Sequence, residues 1–222
     1  MSLEILYEDN HLIVAIKPAG ILSQEDQTKD ADMLTLLKYY IKDKYNKPGN
    51  VYLGLVHRLD RMTGGVMVFA KTSKAARRLN EQIVKKDFSK KYYAIVDGII
   101  EKGDILKNYL IKDEKEVKSY IGNSKNGKLA ILEYSVIKIL NNKTLLDINL
   151  ITGRHHQIRV QLSSRDHSIY GDQKYSGRGH GKQITLWAYK LKIIHPTTKE
   201  EMEFTSVPEK IGSWKILEGL EL

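Results

Sequence analysis

The sequence contains no cysteine. Disulfides and thiolate metal sites are thereby excluded, which fits a reducing compartment. No stretch approaches the roughly 18 consecutive apolar residues that a membrane span requires. The N-terminal MSLEILYEDN lacks the basic-then-apolar pattern of a secretion signal. Prolines number only four in 222 residues, and no Pro/Ser-rich linker, low-complexity tract or internal repeat divides the chain. These absences make a soluble cytoplasmic monomer, with one domain over residues 1–222 and no membrane partner, the expectation.

Acidic residues are also in deficit. Thirty-six Lys and Arg against 27 Asp and Glu leave a net charge of +9. Net charge bears on partners rather than on fold, and a basic surface favours a polyanion. The excess gathers in two places. Residues 71–91 hold eight Lys/Arg against Glu81 and Asp87, and residues 152–182 hold six against Asp166 and Asp172, with four of the seven histidines. A solvated charged face explains either cluster alone; two on one small domain point to nucleic acid.

Hydrophobic patterning predicts an α+β fold, a mixed, mostly antiparallel β-sheet flanked by helices. Residues 12–16 (LIVAI), 66–70 (VMVFA) and 92–96 (YYAIV) read as strands. Helices are expected over 33–45, with Leu34, Leu37 and Ile41 inward, and from an N-cap at Ser73 to about Lys86, with Ala76, Leu79 and Ile83 inward. Two strands, 129–140 and 144–150, flank a turn at Asn141-Asn142-Lys143. A short helix over 155–163 and a last hairpin around Pro196-Thr197-Thr198 complete the pattern.

Three motifs fail on their surroundings. Gly122–Lys128 nearly spells a phosphate loop, but Leu129 stands where a hydroxyl would hold Mg²⁺ and no helix follows, so Asn126-Gly127 reads as a hairpin turn. The glycines of 177–181 (GRGHG) follow no strand, which excludes a dinucleotide fingerprint. His155 and His156 are adjacent, and on a helix their rings would diverge, which disfavours a metal site.

The stretch HRLDRMTGG at 57–65 places Asp60 among Arg58, Arg61 and His57 at the mouth of a strand. A turn-capping or salt-bridged aspartate is one reading. The other is a nucleophile, since carboxylates attack sugar and base carbons and a neighbouring cation keeps them charged when water is excluded. Arginines at 58, 61, 154 and 159 are the candidate cations.

The segment HRLDRMTGGVMVFAKT strongly resembles the signature of RNA pseudouridine synthases, in particular the large-subunit (RluA-type) branch. KPAGI at 17–21, KKYYAIVDG at 90–98, TGRHHQIRVQL at 152–162 and IYGDQKY at 169–175 resemble the same family in the same order. The resemblance implies the pseudouridine synthase catalytic fold and isomerisation of uridine in ribosomal or transfer RNA, without cofactor or metal. It implies that Asp60 attacks a flipped-out nucleotide, at the sugar or at the base. It likewise implies that Tyr92 stacks on the target base and is a candidate for removing the C5 proton, with an ordinary strand tyrosine beside Tyr93 as the other reading, and that Arg159 pairs with Asp60. Arg58 matches the arginine that enters the RNA stack. His57, Arg61, Arg154, Lys90 and Lys17, in the same blocks, are further candidate RNA contacts.

The chain departs from the family at Gly64, where the usual pattern is Thr-Ser-Gly. The branch often carries an N-terminal RNA-binding (S4) module. The catalytic pattern here starts by about residue 5, and the expectation is that the module is absent. Two rival readings are a binding protein of the same fold and a glycosidase. The second would want a second essential acid, for which Asp172 is the nearby suspect, though it reads better as a residue that orders a loop.

Overall fold

The two apolar runs of the N-terminal third lie side by side as antiparallel strands in the computed structural model, which describes residues 3–176 and 183–220. The GRGHG stretch, with Arg178, and Lys182 fall outside the described residues. In chain order the strands and helices are β1 (Ile5–Glu8), β2 (Leu12–Lys17), α1 (Met33–Lys44), β3 (Gly54–Leu55), β4 (Gly64–Ala70), α2 (Ser73–Lys85), β5 (Ser89–Asp97) and β6 (Asp104–Asp113). Then come β7 (Lys118–Gly122), β8 (Lys128–Leu140), β9 (Lys143–Leu150), α3 (Gln157–Ser163), α4 (Gln173–Ser176), β10 (Leu186–Ile194) and β11 (Glu201–Thr205), with a final 3₁₀ turn at Gly212–Leu217. They form two compact units, Met1–Ser89 with Ala188–Ser206 and Lys90–Trp187 with Val207–Leu222.

In the first unit the strand order is β1-β2-β4-β10, with β11 on β10 and β3 on β4. All seven residues of β4 are buried, so the VMVFA run serves both faces of the sheet. Leu12, Val14, Val66, Val68 and Ala70 pack with Ala75 and Leu79 of α2 and with Phe88, Leu191, Ile193 and Phe204. Each of the larger side chains contributes about 1.5–3 kcal/mol by leaving water.

Both helices of this unit start where a short polar side chain meets a run of inward residues; α1 begins at Met33 as the spacing predicts, and α2 is capped one position earlier than expected. Asp32 caps α1 by accepting from the Thr35 N–H at 3.0 Å, and the buried stripe is Met33, Leu37 and Ile41. Thr72, rather than Ser73, caps α2. The stripe of α2 is Ala75, Leu79 and Gln82. Gln82 is inside because its amide pairs with both main-chain groups of Ile194, at 2.7 and 2.9 Å. A polar residue at a core position is invisible to hydrophobic spacing.

In the second unit the order is β5-β9-β8-β6-β7, every adjacent pair antiparallel. β8 and β9 are joined at Asn141-Asn142, whose φ values of 51 and 55° are those of a primed two-residue hairpin turn; Lys143 already pairs with Leu140. Register puts Tyr92 opposite Ile148, and Tyr134 opposite Ile148 from the other side. Tyr92, Leu132 and Ala130 therefore share a face, and Val160 of α3 packs on that face through Ala130 and Leu110. The hairpin β6–β7, absent from the sequence-based expectation, buries only Leu106 and Leu110 of β6 and Ser119 of β7. Its hydrophobic signal is correspondingly faint. Among the described residues no helix is long and apolar enough to cross a membrane.

Candidate active site

Asp60 sits in the loop 56–63, between β3 and β4, and the loop's outward display is produced by what is fixed beneath it. His57 and Leu59 are buried, Arg58 and Arg61 are exposed, and Asp60 is half-buried. The His57 Nε2 accepts the Val68 N–H at 3.1 Å, and its ring meets Phe88 edge-on at 5.3 Å. This ring is an anchor into β4, so His57, expected among the RNA contacts, belongs to the scaffold. Ser23 grips Leu59 from the other side, donating to its carbonyl at 2.7 Å and accepting its N–H at 3.0 Å. With alternate residues held inward, the chain presents Arg58 and Asp60 on its other side.

Lys17 has no exposed surface. Its Nζ donates to the carbonyls of Ile21 at 2.6 Å, Arg61 at 2.9 Å and Pro18 at 3.0 Å. The expectation that Lys17 meets RNA gives way to this geometry: an ammonium with three carbonyl partners inside the unit is a post under the loop. Burial pushes its pKa down to about 7; Asp60 lies within electrostatic reach and opposes that fall, while Arg61 adds to it. Lys17 is thus an amine, about half charged near pH 7, within electrostatic reach of Asp60, a role that the sequence pattern alone does not reveal. Arg61 is held elsewhere, pairing with Asp30 at 2.8 Å and donating to the Gly20 carbonyl at 3.1 Å.

The turn into β4 explains the glycine pair. Thr63 is buried and its N–H closes on the Asp60 carbonyl at 3.0 Å. Gly65 has a φ of 127°, and a Cβ there would collide with the Ala188 backbone. Gly64, where the family pattern has serine, carries no such constraint from a positive φ.

In the second unit Tyr92 is buried on β5, and Tyr93 on the opposite face is equally buried. Lys90 lies at the start of β5 with its amine against Gly153, and burial lowers its pKa. The loop 151–156 is fastened to β8: Thr152 Oγ1 accepts the Ile131 N–H at 2.7 Å, Gln157 Oε1 accepts the Arg154 N–H at 3.0 Å, and Arg154 Nε donates to the Leu129 carbonyl at 2.9 Å. The remainder of the Arg154 side chain is exposed.

Arg159, on α3, makes a side-on pair of hydrogen bonds to Asp172: Nε donates to Oδ2 at 2.7 Å and Nη2 to Oδ1 at 2.8 Å. Its guanidinium also lies 5.1 Å from the Tyr175 ring centre. Asp172, as its place in the sequence suggests, orders a loop: Oδ1 accepts the N–H groups of Lys174 and Tyr175 at the start of α4. The histidine pair differs from expectation. His156 precedes α3 in a left-handed conformation (φ 52°), and the two rings stack at 3.8 Å instead of diverging.

The basic clusters thin out when placed in space. Of the residues in 71–91, Lys71 is occupied by Glu8 and the Asp9 carbonyl, Arg78 by the Pro196 carbonyl, Arg77 by Glu81 and Lys91 by Asp147. Lys74, Lys85 and Lys86 remain exposed. Counting charge along a sequence overstates the electropositive surface, because several cations are paired with carboxylates or main-chain carbonyls.

A family model described as RNA pseudouridylate synthase matches residues 11–164. The chain is 34% identical over 217 residues to ribosomal large subunit pseudouridine synthase D of Zymomonas mobilis, covering 92% of this chain and 68% of that one. It is 36% identical over 226 residues to the enzyme of the same description from Pseudomonas aeruginosa, covering 94% and 69%. Among solved structures it is similar in fold to human RNA pseudouridylate synthase domain containing 4, with a TM-score of 0.77, 24% identity and coverage of 93% and 89%.

Proposed function

The chain belongs to the RNA pseudouridine synthase family, and on that premise we propose a mechanism in which Asp60 is the nucleophile that isomerises a flipped-out uridine in ribosomal or transfer RNA. The names of the bacterial relatives favour the ribosomal large subunit. In this isomerisation the N1–C1′ bond breaks, a C5–C1′ bond forms, the C5 proton leaves and N1 gains one. Atoms and electrons balance without a redox partner, so the protein has only to hold, attack and move a proton.

The observation that carries the reading is the mounting of Asp60. A nucleophilic carboxylate must keep one orientation while a base is pulled to it, and the inward anchors His57 and Leu59, with Lys17 below, give this loop little freedom. Asp60 attacks at the sugar or base carbon and is released when the C-glycoside forms. Tyr92 stacks on the extruded ring, worth about 1–3 kcal/mol, and takes the C5 proton. Arg159 supplies the charge that pairs with Asp60 in the reacting complex. Flipping a base costs a few kcal/mol, which exposed cations offset through phosphate contacts; Arg58 fills the vacated place in the stack, a role for which a planar guanidinium is suited.

The test is release of tritium from RNA labelled at uridine C5. Wild-type protein is expected to release label, and Asp60→Ala to release none. Label release persisting in Asp60→Ala would remove Asp60 from the mechanism.

A further inference from the structure

We infer that Asp172 is a positioning residue for Arg159: a buried carboxylate whose purpose is to fix which edge of the guanidinium faces the reaction. The inference deepens the reading above and rests on the role proposed there for Arg159. Arginine has a long stem with many rotamers, and a guanidinium that must meet a reacting carboxylate gains nothing from a stem that wanders. Here it is held in two directions at once. Asp172 takes the Nε–Nη2 edge through two short bonds in the guanidinium plane, and the Tyr175 ring lies beside Cζ at 5.1 Å. The side-on pairing uses two of the five N–H donors and turns the opposite, Nη1-bearing edge away from Asp172.

The clamp is itself braced. Asp172 has only 2% of its surface exposed, so its charge requires the partner it has. Its Oδ1 also accepts from Lys174 N–H at 3.1 Å and Tyr175 N–H at 3.3 Å, which ties the arginine's position to that of α4. Ser163 Oγ donates to the Tyr175 carbonyl at 2.9 Å. The Tyr175 hydroxyl takes the Ser119 N–H at 2.8 Å and meets His156 Nδ1 at 2.9 Å, while Ser119 Oγ meets His155 Nδ1 at 2.9 Å. The stacked histidines, the start of α3, the strand β7 and α4 thus converge on one aromatic ring beside the guanidinium. A buried ion pair kept only for stability would not need to orient its arginine's second edge; a residue that serves chemistry does.

Asp172→Asn separates the two cases, because the amide oxygen still caps α4 while the charge and one bond to Arg159 are lost. On the full-length protein, single-turnover tritium release is expected to fall roughly ten- to a hundredfold, the scale of a small misplacement of a catalytic group. RNA affinity should change by no more than about threefold, since uniform binding is untouched. In an Arg159→Met background the same substitution should change the rate little, because the two residues act through one another. If Asp172→Asn alone fails to fold, Asp172→Glu keeps the charge opposite Arg159 while shifting the carboxylate by one methylene, and the same rate loss at unchanged RNA affinity is expected of it. A melting temperature that drops with the turnover rate unchanged, or an equal rate loss in the Arg159→Met background, overturns the role of Asp172. Arg159→Met turning over like wild type instead overturns the role proposed for Arg159.

Discussion

Ser23 and Leu59 satisfy each other completely across 36 residues of chain: one hydroxyl donates to the Leu59 carbonyl at 2.7 Å and accepts its N–H at 3.0 Å. Both main-chain groups are those of the residue before Asp60, so a serine outside every sequence motif holds the loop of the proposed nucleophile. Ser23→Ala leaves a buried N–H and carbonyl without that partner. Each such loss costs about 1–3 kcal/mol, and denaturant unfolding should show a loss of that size. Tritium release should fall further than stability accounts for, by roughly tenfold or more. An unchanged rate would mean that the loop is held without Ser23.

Lys17 predicts a pH dependence of stability. Its folded-state pKa is about 7, below the roughly 10.4 of an unfolded lysine. Between these values the unfolded chain holds more protons, so stability should rise with pH across that window by up to about 1.4 kcal/mol per unit. Lys17→Met keeps the stem and removes the titrating group. Unfolding measured from pH 7 to 10 should show a shallower rise in this variant than in wild type; equal slopes would contradict the burial assigned to Lys17.

Gly65→Ala should be severe where Gly64→Ser is mild. The first forces a Cβ against the Ala188 backbone at a φ of 127°, a clash of rigid atoms between neighbouring strands. A loss above about 3 kcal/mol, or failure to fold, is expected. Gly64→Ser restores the family pattern and should keep the rate within about threefold. Comparable stability of the two variants, by thermal melting, would refute the distinction.

The strands of highest apolar density were legible in the sequence, because β2 and β4 are buried on both faces and need no register to be recognised. The asparagine turn at 141–142 was legible because a primed turn demands residues that accept positive φ. Less was legible at the site. Asp60, Tyr92 and Arg159 came from resemblance, but nothing in residue type distinguished Lys17, an inward post, from a lysine reaching for phosphate. His57 posed the same difficulty, since its partner is a main-chain N–H eleven residues away. Ser23 and Gln82 act through hydrogen bonds to backbone, which leave no periodic trace. The histidine stack depends on one left-handed residue, His156, and a helix assumed from residue 155 points the rings the wrong way.

Salt dependence should separate outward cations from inward ones. Replacing Lys74, Lys85 or Lys86 with Gln should each reduce the slope of log affinity against log salt by about 0.7 for every phosphate that the lysine neutralises on single-stranded RNA. Lys71→Gln should leave the slope unchanged and lower stability, because Lys71 is spent on Glu8 and the Asp9 carbonyl. Glu8 is held to a pKa of about 2: burial raises it, and hydrogen bonds from Lys44, Lys71 and Tyr45 more than reverse that. A reduced slope in Lys71→Gln, at unchanged stability, would show that this lysine reaches RNA.

The most direct measurement is tritium release from C5-labelled RNA by wild-type protein and by Asp60→Asn, which changes charge at nearly constant shape. Wild type should release label to completion at every modified uridine while Asp60→Asn binds the same RNA with similar affinity and releases none. Turnover by Asp60→Asn within tenfold of wild type would show that the carboxylate on this loop is not the group that attacks.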